Sequence, residues 1–168
     1  MTIPTAQGLT SVWLLRAADT VFVAARIPDR SSSWADGFTV CFDVRGGGGT
    51  APGHDDFRLA FQRVLDSSVI YRGRAGRWAP PLDDPDWRLG RDRVGGGWEV
   101  AAEEDSLGST LVLRLDPAWF EGERGQRPAI AFVVHDGDPN RWYPWPPQRT
   151  SAGATLLERT PALWVPAE

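Results

Sequence analysis

No stretch of ten or more residues in this sequence repeats its apolar side chains at the 3.6-residue period of a helix, and that absence removes most architectures open to a chain of 168 residues. In its place stand short segments rich in Val, Ile, Phe, Leu and Tyr, each bounded by Gly, Pro, Asp or Ser: Thr20–Ile27, Gly37–Val44, Phe57–Val64, Ser68–Arg74, Gly97–Glu104, Ser109–Asp116 and Ala129–Asp136. "SVWLLRA" near the start and "ATLLER" near the end could add two more. Several alternate strictly. Phe57, Leu59 and Phe61 stand against Arg58, Ala60 and Gln62, and Leu111, Leu113 and Leu115 against Thr110, Val112 and Arg114, so one face is buried and the other partly wet, as in antiparallel sheets. "IAFVVHD" is apolar on both faces, as a central strand would be. Only "DPAWFEG", Asp116–Gly122, reads as a helical turn, with Asp as N-cap and Pro in the first helical position. The expectation is an all-β protein: one antiparallel β-sandwich or jelly roll with one short helical turn, a single domain over residues 1–168. A chain of this length can bury roughly 70% of its unfolded surface without staples.

Charge and composition narrow the chemistry. The net charge is −4, and every one of the eighteen basic residues is arginine. No broad attraction for nucleic acid or anionic lipid follows from such a balance, and no apolar run approaches the ~20 residues that span a membrane. The N-terminus lacks the basic start, apolar centre and small-residue cleavage site of a secretion signal, so the expectation is a cytoplasmic protein or a piece of a longer one. The single cysteine, Cys41 in "FTVCFDV", reads as a packed thiol. Two distant histidines and one cysteine do not make a zinc or iron–sulfur site, and no G-x-S-x-G elbow or phosphate-binding Gly loop with its Lys is present. The carboxylate pairs Asp55/Asp56, Asp83/Asp84 and Glu103/Glu104 read as solvated turn residues for the most part, whereas Asp136 and Asp138 in "HDGDPN" resemble part of a calcium loop.

Nine tryptophans are more than a core of this size needs. Trp34 precedes a strand, Trp78 and Trp87 sit in a long Pro-rich segment after Gly73, and Trp142, Tyr143 and Trp145 crowd "HDGDPNRWYPWPPQRT". An indole face stacks on the C–H face of a pyranose while Arg, Asp, Asn or Gln bond its hydroxyls, and a Pro-stiffened loop is ordered before the ligand arrives.

The order of "TVFVAARIPD", "SWADGFTVCFDVR", "GHDDFRLAF", "LVLRLDPAWFEG", "PAIAFVVHDGD" and the Trp-bearing "WYPWPPQRTSAGATLLER" resembles the family 9 carbohydrate-binding modules and the wider group of DOMON-like sandwiches. The resemblance implies a β-sandwich that holds sugar between two Trp faces, with polar side chains at the edges and often structural calcium. By position it makes Trp78 and either Trp142 or Trp145 the clamp, with Asp136 near its floor, and Tyr71, Arg58 and His135 complete the ligand-binding set. Asp136 and Asp138 would hold Ca2+. Haem-binding relatives take a Met with a His or Lys, whereas the one Met here is Met1 and Lys is absent. The function expected is therefore non-catalytic carbohydrate binding. Two alternatives stay open: a small sandwich-fold enzyme with His135 and Asp136 as acid–base pair, and an interaction module that uses the Trp/Pro segments as its interface.

Overall fold

The computed structural model describes residues 1–17, 20–29, 36–43, 52–54, 56–62, 67–79, 98–115, 129–137, 140–145 and 165–166. They form twelve strands: β1 (Thr2–Thr5), β2 (Gly8–Ala17), β3 (Thr20–Pro28), β4 (Gly37–Asp43), β5 (Asp56–Gln62), β6 (Ser67–Arg74), β7 (Arg77–Ala79), β8 (Trp98–Asp105), β9 (Gly108–Leu115), β10 (Ala129–Asp136), β11 (Arg141–Trp145) and β12 (Val165–Pro166). All pairings are antiparallel. One sheet has the order β1-β2-β3-β9-β8, and the other runs β11-β10-β4-β5-β6-β7, with β12 beside the start of β10. No helix occurs among the described residues; the turn expected at Asp116–Gly122 and the strand expected at "ATLLER" lie outside them.

Alternation places the core. From the five-stranded sheet come Ile3, Val12, Val21, Val23, Leu111, Leu113 and Leu115; from the other come Phe38, Val40, Phe42, Leu59, Phe61, Ile70, Ile130, Phe132 and Val134. The Phe38 and Phe132 rings stack with centroids 5.9 Å apart, across the β4–β10 pair. Each such side chain contributes about 1.5–3 kcal/mol by leaving water. The middle of the second sheet is buried on both sides: Thr39, Cys41 and Asp43 of β4 and Ala131 and Val133 of β10 face away from the core yet are also buried. The unbroken apolar reading of "IAFVVHD" has this cause.

Three strands correct the sequence reading. β7 exists because Ala75 and Gly76 both take positive φ (49° and 78°), closing a two-residue hairpin of the kind that suits strand twist. Trp78 therefore lies on a strand and not in a long loop. β11 forms from Arg141–Trp145 despite Pro144, because it is an edge strand on that side and Pro there forfeits no ladder bond. β1 likewise tolerates Pro4 at the edge of its sheet. At the β8–β9 turn, the Leu107 N–H donates to Asp105 Oδ1 (2.8 Å), and Gly108 takes φ 144°. A Cβ on Gly108 would come within 2.1 Å of the Ile27 carbonyl oxygen, so glycine is required there.

Candidate functional site

The outward face of the seven-stranded sheet carries most of the residues singled out above. Register defines its rows. Trp78 stands opposite Gly73; Tyr71 opposite Arg58, which faces Cys41 and then Ala131; Ala60 opposite Thr39 and Val133; and His135 is flanked by Gly37 and Trp142. Strand pairing thus brings Arg58, Tyr71 and Trp78 together at one end. The Arg58 guanidinium sits 4.0 Å over the Tyr71 ring and 5.7 Å from the Trp78 ring, close enough for cation–π attraction to both. Its Nε is buried and meets no hydrogen-bond acceptor among the described residues.

Two carboxylates back this cluster. Asp43 and Asp56 are cross-strand partners on the same face, 1% and 4% exposed. Asp56 was expected to be a solvated turn residue; instead it begins β5, and its Oδ2 accepts from the Gly53 N–H (2.6 Å) while its own N–H donates to the Gly53 carbonyl (3.1 Å). The Pro52–His54 turn is thereby pinned over β6, where Arg72 Nε donates to the His54 carbonyl (2.6 Å). Asp43 and Asp56 were missed as site residues. The signal was present, since strict alternation puts both on the Arg58 side of their strands. Beside them, burial pushes the Cys41 thiol up to about 12; Arg58 opposes the rise and Asp56 adds to it. Cys41 is the packed thiol its neighbours suggest.

The remaining expectations fall elsewhere. The His135 and Trp142 rings stack at 3.9 Å, nearly parallel, and His135 Nε2 lies 3.0 Å from Asn140 Oδ1. Along the register Trp142 is five strands and six residues away from Trp78, on the order of 30 Å, so these two indoles do not make one clamp. Trp145 cannot replace Trp142: it faces inward, directly opposite Phe132 with ring centroids 5.9 Å apart, and packs on the core with Tyr143. Period-2 alternation along β11 sends Trp142 and Pro144 out and Tyr143 and Trp145 in.

Asp136 is 6% exposed and follows His135 on β10, so the two side chains point to opposite faces. Asp136 therefore does not pair with His135, whose Nε2 contact is the Asn140 carboxamide. Asp138, the other half of the expected calcium pair, lies outside the described residues, as do Trp34 and Trp87. Among the described residues no three His, Cys, Asp or Glu side chains are grouped closely enough to hold a metal ion.

No protein-family model matches the chain, and no curated protein does. Among solved structures it is similar to a carbohydrate binding module family 9 (CBM9) from Caldicellulosiruptor kristjanssonii in complex with cellotriose, with a TM-score of 0.53 over 83% of this chain and 12% sequence identity. The chain covers 66% of that protein's length. The fold is therefore CBM9-like.

Proposed function

We propose that this sandwich binds carbohydrate without transforming it, at the Arg58–Tyr71–Trp78 end of the seven-stranded sheet. The observation that supports the reading is the guanidinium held against two aromatic rings on an outward sheet face, with Asp43 and Asp56 on the same face. Such a group offers a sugar what it needs: an indole or phenol surface for its C–H face, and N–H donors in a fixed fork for its hydroxyl oxygens. Stacking restricts the side chain beforehand, so less conformational freedom is lost on binding. The similar solved module was seen with cellotriose, which makes β-linked gluco-oligosaccharides the first ligands to try.

Tryptophan fluorescence followed during titration with a panel of mono- and oligosaccharides, cellotriose included and with and without EDTA, tests the proposal. A saturable change is expected with one sugar class. Trp78→Ala and Arg58→Met are each expected to weaken it at least about tenfold, the scale of one lost stacking or charge-assisted contact. Full binding in both variants, or no response across the panel, overturns the reading.

A further inference from the structure

At the end of the sandwich where β3 stops and β4 and β9 begin, the sheets leave a recess open to solvent. Ile27, Pro28, Phe61, Leu111 and Val134 supply apolar wall. Three carboxylates from three separate segments reach it: Asp29 at 8%, Asp36 at 4% and Asp136 at 6% exposure. All three already have partners; Asp36 Oδ1, for one, accepts from the Gly137 N–H at 2.8 Å. A carboxylate has about four acceptor positions, so a first bond leaves room for a further donor.

An independent observation points to a ligand. Ser109 also lines the pocket, is 3% exposed, and its Oγ meets no hydrogen-bond partner among the described residues. It shares the inward side of β9 with Leu111, which aims the hydroxyl between the sheets. A buried hydroxyl left unsatisfied is costly, and a ligand atom in the pocket would remove that cost. The described lining contains neither Arg nor Lys; its titratable groups are the three carboxylates, which only accept, and the His135 ring, which is stacked on Trp142 and bonded to Asn140. The complement is a donor-rich cation. A bare metal ion fits poorly, because these carboxylates are not gathered as a ligand group. Carboxylates spread around apolar walls suit a cation with length.

We propose that this pocket binds a small organic ammonium ion, an alkyl amine or diamine, whose N–H groups bond the Asp29, Asp36 and Asp136 carboxylates and Ser109 Oγ while its methylenes lie on Ile27, Pro28 and Leu111. The site is separate from the sugar-binding face, and neither assignment depends on the other.

Isothermal titration of the full chain with putrescine, n-butylamine, the neutral isostere n-butanol and calcium chloride tests it. Both amines are expected to bind saturably at neutral pH and n-butanol not at all. Ser109→Leu, which fills the pocket, is expected to abolish amine binding, and Asp29→Asn to weaken it about tenfold, with near-UV circular dichroism confirming that each variant is folded. Should Ser109→Leu not fold, Asp29→Asn alone decides. The proposal is overturned if neither amine gives saturable heat, if n-butanol binds as well, if calcium displaces the amines by taking the site, or if folded variants bind amine as the parent does.

Discussion

Gly73 is the position where one added methyl group reaches furthest. It lies on the outward face of β6, opposite Trp78, with the Pro52–His54 turn directly above it. A Cβ built there would come within 2.0 Å of the Gly53 carbonyl oxygen and 2.8 Å of both the Pro52 carbonyl carbon and its Cβ. Backbone atoms form that obstacle, so no side-chain rotation relieves the clash. Gly53 must move by more than an ångström, and it is tied on both sides to Asp56 while His54 is tied to Arg72. Overpacking of this kind costs about 1–3 kcal/mol, and each hydrogen bond stretched open adds about 1 kcal/mol. Gly73→Ala is therefore expected to lose about 3 kcal/mol. For a chain of this length that lowers Tm by about 6–12 °C, read by thermal unfolding in near-UV circular dichroism. Because Asp56 and Trp78 flank the disturbed turn, sugar affinity should fall in the folded fraction as well. A Gly73→Ala protein whose Tm stays within about 2 °C of the parent would show that the turn is not held against β6 and would refute the reasoning.

Trp145→Ala removes an indole packed on Phe132 and is expected to cost about 3 kcal/mol in urea denaturation, whereas Trp142→Ala loses chiefly the stack on His135 and should cost about 1 kcal/mol; the reverse order would mean that β11 is shifted by one residue. The Cys41 thiol has its pKa raised from 9.0 to about 12, so the proton-bound form is the one the fold favours. Below pH 9 that preference is fully satisfied. Between pH 9 and about 12 the unfolded chain gives up the proton first, and stability falls by up to about 1.4 kcal/mol per pH unit, a slope that Cys41→Val should remove. If parent and Cys41→Val lose stability in parallel over that range, the thiol is not buried as described.

Strands were legible where alternation and composition agreed. Phe57/Leu59/Phe61 and Leu111/Leu113/Leu115 name the inward side of β5 and β9 without reference to any other residue, and all but Phe57, which packs against it, lie in the buried core cluster. β1, β7 and β11 were not legible, for a common reason: Pro4, the tight Ala75–Gly76 turn and Pro144 carry the letters of a loop, and only their place at a sheet edge makes them strand. Edge position is a property of pairing, which no local window contains. The site divides in the same way. That Arg58 faces outward is local, given by parity with Ala60 and Gln62. That it meets Tyr71 and Trp78, and that Trp142 stands at the far corner, depends on the order of β11-β10-β4-β5-β6-β7, which is set by contacts between residues far apart in the chain. Trp78 near the middle of the sequence and Trp142 near its end give no measure of the distance between them in the fold.

The charge around Arg58 decides which sugars the proposed site would take. Arg58 lowers the pKa of buried Cys41 while Asp56 raises it, so a cation and a carboxylate act at close range on the same buried point and partly cancel. An anionic ligand approaching Arg58 must also approach Asp56 and Asp43, in a protein of net charge −4. The attraction left for it is small, whereas the donor fork of the guanidinium remains available to neutral hydroxyls, which lose little by the nearby carboxylates. Neutral oligosaccharides are thus expected to bind with an affinity that varies less than about twofold between 0.05 and 0.5 M salt, and uronic-acid oligomers of equal length to bind more weakly. Affinity that collapses with salt, or a preference for the uronic acids, would mean that Arg58 acts as an uncompensated charge. The carboxylates on its face would then be neutralised by other groups, and the ligand would be an acidic polysaccharide and not a neutral one.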